Sequence, residues 1–159
     1  MYSPLSDDYE YECFGGNGVT GHSKDYLIEN PTIVIGRVGE YCGSVHKTSP
    51  FSWITDNAIY VTSYDKDRII LDFLFIECKL MDFHRFAATV GQPKITQKPL
   101  LEGLYIVPPL KDQDAFVSFV HQTDKSKFEL TQALEALNAT YKKLISENQN
   151  IMATERLLD

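Results

Sequence analysis

The chain has 159 residues, 43% hydrophobic and 12% aromatic, with a formal net charge of −7. That length suits one domain, or a small domain with an appendage, and that composition can bury a core. The acidic balance argues against a free-standing, non-specific nucleic-acid binder, which would carry a basic stripe.

The charge is uneven. Asp7, Asp8, Glu10 and Glu12 make the first twelve residues acidic, whereas residues 13–111 carry ten basic and ten acidic side chains. From His84 to Lys98 there are Arg85, Lys94 and Lys98 and no acid. A neutral body with one mildly basic edge can touch DNA where a partner supplies most of the phosphate neutralisation. Cys13, Cys42 and Cys78 are an odd count without CxxC spacing. They point to a reducing compartment and against structural zinc. No signal peptide and no apolar run of membrane-spanning length is visible, so a cytoplasmic protein is expected.

In chain order, the first informative stretch is Tyr11 to Gly43, where seven glycines fall within 29 residues among β-branched and aromatic neighbours. Glycine at that density serves positive φ or close backbone approach. A folded β-rich segment with tight, exposed turns is expected, with Val19 to His22 read as a further turn. Short β-branched runs then predict strands at Thr32–Ile35, Asn57–Val61 and Tyr105–Val107. Asp72–Leu80 is apolar at nearly every position and predicts a short buried helix. His84 and Arg85 are placed at a helix end. Pro31, Pro50, Pro93 and Pro99 keep regular elements brief.

After Pro108 and Pro109 the pattern changes. Asp112 can cap a helix through Phe116, Phe119 and Val120, with Asp124 and Ser126 as further cap or hinge positions. From there Leu130, Leu134, Leu137, Tyr141, Leu144, Asn148 and Ile151 alternate spacings of four and three residues, a heptad seam. About 28 residues of helix, or ~40 Å, would exceed what the small preceding body can cover. Pairing with another helix is expected, and the polar Asn148 within the seam would fix register. The fold class is therefore α+β, a small twisted β-rich domain over 1–111 followed by a coiled-coil-type helical arm over 112–159.

Catalytic patterns do not assemble. Phe14 to Gly18 loosely matches a methyltransferase cofactor loop, but the helix such a loop needs does not follow, and Val107-Pro-Pro-Leu110 lacks the catalytic polar and aromatic residues. No Lys-Ser/Thr follows the glycines, so there is no phosphate-binding loop. His22, His46, His84 and His121 lack metal-ligand spacing. No catalytic residue, metal or cofactor is expected. What remains is a set of polar residues on glycine-supported loops: Asn17, Thr20, His22, Lys24, Arg37, Lys47, Ser52, Thr89, Gln92 and Lys94. Arginine pairs with guanine, and asparagine or glutamine with adenine, in the major groove. Lysine and threonine serve phosphates.

Five motifs in order carry a resemblance. They are Phe14-Gly-Gly-Asn-Gly-Val-Thr-Gly21, Ile35-Gly-Arg-Val-Gly-Glu-Tyr-Cys-Gly-Ser-Val45, Trp53-Ile-Thr-Asp-Asn-Ala58, Gly91-Gln-Pro-Lys-Ile95 and Ile106-Val-Pro-Pro-Leu-Lys-Asp-Gln113, running into Thr123 to Leu130 and the heptad helix. Together they resemble a target recognition domain and helical spacer of the DNA specificity subunit of type I restriction–modification systems. The resemblance implies a non-catalytic subunit that recognises double-stranded DNA and pairs its spacers as an antiparallel coiled coil. It also implies recruitment of adenine-methylating modification subunits and, for cleavage, restriction subunits. A complete specificity subunit has two such domains and two spacers, and its domain opens with strands before the glycine-rich turn. The expectation is a half-subunit that pairs with itself or with a second specificity chain. The competing expectation is a truncated remnant that acts only as a helical assembly protein without reading DNA.

Overall fold

A computed structural model describes residues 9–88 and 91–155, with side chains in the last helix described as far as Ser146. Six short strands and three α-helices follow in order: β1 (Tyr11–Gly15), β2 (Gly18–Ser23), β3 (Ile33–Gly36), β4 (Val45–Lys47), β5 (Trp53–Ile54), β6 (Ala58–Tyr60), α1 (Leu71–Leu80), α2 (Gln97–Leu101) and α3 (Leu110–Glu155). A single 3-10 turn, Phe83–Phe86, separates α1 from α2 and contains His84 and Arg85. The strands form two three-stranded sheets, ordered β2-β1-β5 and β4-β3-β6. All pairs are antiparallel except β1 with β5. The architecture is α+β, small sheets followed by a long C-terminal helix.

The apolar run at β3 lies between two hydrophobic clusters because successive side chains of a strand point to opposite faces. Ile33 and Ile35 join Cys42, Cys78, Phe83, Ile95 and Leu100. Val34, one residue out of phase, joins Phe14 and Ile54. A strand buried on both faces reads as continuous rather than alternating hydrophobicity. That explains why β3 is visible in the sequence. α1 adds Phe73 and Cys78 to the buried set.

Two expectations about elements are corrected. Val19 to His22 is strand rather than turn: β2 pairs with β1 through Phe14↔Val19 and Cys13↔Gly21, and the skipped Thr20 forms a bulge. The Thr20 hydroxyl donates to the Cys13 carbonyl at 3.2 Å, which uses the extra residue to hold the kink. Tyr105–Val107 is not a strand. Its Ile106 amide donates to the Glu77 carboxylate rather than to a neighbouring strand.

α3 begins at Leu110, before Asp112, and continues through Asp124 and Ser126 without a hinge. No glycine or proline occurs after Pro109, so nothing in the backbone interrupts it. Thr123, Thr131 and Thr140 return their hydroxyls to the carbonyls four residues back. The first turn of α3 is held by Gln113, which is fully buried. Its Oε1 accepts from the Ile70 amide at 2.8 Å, and its Nε2 donates to the carbonyls of Arg68 and Pro108 at 2.8 and 2.7 Å. The chain divides into two units, Met1–Asp114 and Ala115–Asp159. Among the described residues no helix is long and apolar enough to cross a membrane.

Candidate nucleic-acid interface

The tip of the β1–β2 hairpin is Gly16 and Asn17, and the hairpin closes at Gly18 with φ +85°. Close approach explains the glycines around it. A Cβ on Gly36 would collide with the carbonyl oxygens of Gly16 and Tyr41, so the turn after β3 and the hairpin tip touch through backbone. A Cβ on Gly16 would lie 3.3 Å from the Asn57 carbonyl oxygen. The Arg37 amide donates to that same carbonyl at 2.8 Å.

The loop at 91–95 is stitched to the other side of this turn. Ile95 donates to the Arg37 carbonyl at 2.9 Å, Gly39 donates to the Pro93 carbonyl at 2.9 Å, and Val38 bridges Lys94. Gly39 takes φ +80°, and a Cβ there would stand 3.7 Å from the Gln92 Nε2. Four segments distant in sequence therefore meet at one end of the body, carrying Asn17, Arg37, Asn57, Gln92 and Lys94. Arg37 is half-buried and the other four are exposed. Two asparagines, a glutamine, an arginine and a lysine on a rigid backbone frame supply forked donors and acceptors suited to base edges and phosphates. Asn57 was missing from the sequence-derived set, although it lies within the Trp53 to Ala58 motif that carried the resemblance.

The groups behind this surface are neutral. Burial pushes the Cys42 thiol up, and a hydrogen bond with Ile95 opposes that rise. Burial also raises Cys13, and it pushes Cys78 up to about 12. Thiols held in this way are poor nucleophiles. The His46 ring packs on Gly18, its nearest atom 3.1 Å from where a Cβ would stand. Burial first, and then the Lys79 charge, hold that imidazole below its usual pKa. Beside Gly43 an open cleft of about 300 Å³ is lined by charges of both signs, Glu40 and Asp82 with Lys79. Among the described residues no group of histidine, cysteine and carboxylate side chains could hold a metal ion.

α3 spans 46 residues, roughly 70 Å at 1.5 Å per residue. Leu130, Leu134, Leu137, Tyr141 and Leu144 are each more than half exposed. Asn148 and Ile151 belong to the same helix, with side chains outside the described set. A shallow groove of about 390 Å³ between Lys127, Leu130, Thr131 and Leu134 runs along this stripe.

Residues 3–139 match the type I restriction modification DNA specificity domain. The chain belongs to that family. Over 126 residues this specificity domain is 27% identical to the type I restriction enzyme EcoprrI specificity subunit of Escherichia coli, covering 79% of this chain and 31% of that one. It also overlays on the crystal structure of the type I restriction–modification S subunit from M. genitalium. That overlay has a TM-score of 0.66 and 17% identity, over 76% of this chain and 33% of the other, and is a likeness of fold. The specificity domain thus spans about a third of each relative's length.

Within the domain, several sequence-derived contact residues fall away from the loop cluster. Ser52 is fully buried and donates to the Ser49 carbonyl at 2.8 Å, so it has no outward atom and its role is internal. Lys47 sits on β4, where its ammonium pairs with Asp72 of α1. Lys24 follows β2, at the hairpin end remote from Asn17. His22 is half-buried on β2 opposite Glu12, with its Nδ1 buried and lacking a hydrogen-bond partner. Thr20 is committed to the bulge. Thr89 lies outside the described residues. Lys47 looks like a free loop residue in the sequence because its partner is 25 positions away.

Proposed function

We propose that this specificity domain reads DNA sequence for a type I restriction–modification complex. In this reading Asn17, Arg37, Asn57, Gln92 and Lys94 approach the duplex, with Arg37 and the amides on base edges and Lys94 on phosphate. α3 pairs through Leu130, Leu134, Leu137, Tyr141 and Leu144, extended to Asn148 and Ile151, with a second copy or another specificity chain. Adenine-methylating modification subunits, and restriction subunits for cleavage, supply the chemistry. The observation that supports this most is the backbone-locked convergence of the hairpin tip, the turn after β3 and the 91–95 loop. The near-neutral body suits weak intrinsic affinity, with partners neutralising most phosphates. Co-expression with a type I modification subunit, followed by mapping of N6-methyladenine, tests it. A new methylated motif that depends on this chain supports the reading, and a palindromic motif identifies a homodimer.

A second reading, a helical assembly protein that does not read DNA, is favoured by the net charge of −7. It predicts stable co-purification with the modification subunit and no new methylation.

A further inference from the structure

The β1–β2 hairpin has a second exposed end. Opposite the Gly16–Asn17 tip, where β1 begins at Tyr11 and β2 ends at Ser23, three aromatic rings form an outward step. Tyr11 and Tyr26 meet edge to face at 5.2 Å and 70°, and Tyr26 and Phe51 do the same at 5.3 Å and 79°. Tyr26, Leu27 and Phe51 are 42%, 47% and 48% exposed. The step is built with care. Leu27 and Ile28 both donate to the Ser52 carbonyl, Ser52 returns its amide to Ile28, and Phe51 donates to Glu29. The buried Ser52 hydroxyl closes the 49–52 turn. That turn holds Phe51 at φ +50°, a left-handed conformation that a bulky residue rarely adopts and that glycine would accept freely. An exposed phenylalanine kept in a position suited to glycine points to a use for its ring.

The surroundings have one sign. From Tyr9 to Asn30 the chain carries Glu10, Glu12, Asp25 and Glu29 against a single Lys24. Glu12 accepts from Ser49, while Glu10, Asp25 and Glu29 are exposed. Glu10 above all, then partial burial, then Tyr26 and Asp25 hold the Tyr11 hydroxyl above its usual pKa. Aromatic faces bordered by carboxylates attract cations that carry an apolar stem, through cation–π contact and ion pairing. They repel phosphate and anionic lipid. The chain's own first eight residues have the wrong sign, with Asp7 and Asp8 and no basic side chain.

We propose that Tyr11, Tyr26, Leu27 and Phe51, rimmed by Glu10, Asp25 and Glu29, form a docking surface for a partner protein that presents lysine or arginine side chains on an apolar face. This surface is separate from the loops assigned to DNA and does not depend on that assignment. The partner is held at the open end of the hairpin while the tip stays free.

Titration of the isotope-labelled full chain with an amphipathic lysine–leucine peptide tests the proposal. A glutamate–leucine peptide of the same pattern, duplex DNA and anionic vesicles serve as alternative occupants. The expected result is saturable shifts confined to the amides around Tyr11, Tyr26, Leu27 and Phe51, with the lysine peptide alone. Phe51→Gly keeps the backbone geometry and removes the ring, and it should weaken binding about tenfold. Tyr26→Ala should act in the same direction, and Glu10→Gln with Asp25→Asn should flatten the salt dependence. Shifts spread over acidic surfaces elsewhere, unchanged affinity in Phe51→Gly, or equal binding of the glutamate peptide, DNA or vesicles would overturn it. So would shifts at these amides on deleting residues 1–8 in the absence of any peptide.

Discussion

The loop cluster around Gly36 and the stripe along α3 expose their side chains by opposite means. At Gly36 the backbone of one segment rests on the backbone of another, and Asn17, Arg37 and Gln92 are presented because three loops are locked together. Along α3 the leucines are presented by helical periodicity alone, and no tertiary contact is needed to define the stripe. One surface is therefore fragile to any change in backbone volume and the other is modular.

Gly36→Ala should have the largest effect. Its new Cβ runs into two carbonyl oxygens of the Gly16 and Tyr41 segments, which cannot swing away as a side chain would. A loss of about 3 kcal/mol in urea denaturation is expected, with separation of the loops that carry Asn17 and Arg37. Gln113→Leu comes next. It leaves the Ile70 amide and the Arg68 and Pro108 carbonyls without their partner, at about 2 kcal/mol. Hydrogen exchange should rise at Ile70 and through the first turn of α3.

Leu134→Lys with Leu137→Lys sharpens the contrast from the other side. Both side chains are exposed, so the unfolding free energy of the body in urea should change by less than about 0.5 kcal/mol. Sedimentation should nevertheless show loss of helix pairing. The smallest effect is at His46. Its folded pKa lies below the usual histidine value, so between that value and the depressed one the unfolded chain binds more protons than the folded chain. Stability should fall as pH drops below about 6.5. His46→Phe retains a ring against Gly18 and removes the titration, so the melting temperature should change less between pH 7.5 and 5.5 than in the parent chain.

The same contrast explains what the sequence makes legible. β3 stands out because Ile33, Val34 and Ile35 are all buried, α1 because its apolar positions are dense, and α3 because its seam spacing needs only local geometry. The β1–β2 hairpin is harder to read. Gly15, Gly16, Gly18 and Gly21 mask the strand signal of Phe14 and Val19, and a bulge breaks the alternation. Tyr105–Val107 has strand composition, but Glu77 takes up its backbone amide in place of a neighbouring strand. Among the candidate contact residues, Asn17 and Gln92 could be chosen by side-chain type and loop position. Lys47 and Ser52 satisfied the same criteria, but Lys47 is paired with Asp72 on the surface and Ser52 is buried against Ser49. The clustering of residues 36–43 with 91–95 depends on hydrogen bonds across some fifty positions, which no local pattern encodes.

In the proposed function the loops choose the sequence while the helix assembles the complex. Methylation mapping of co-expressed variants separates the two most directly. Arg37→Ala and Gln92→Ala should each leave methylation present but relaxed at particular positions of the motif, while Leu134→Lys with Leu137→Lys should abolish it. An unchanged motif in both loop variants, or relaxed base choice in the helix variant, would contradict the account.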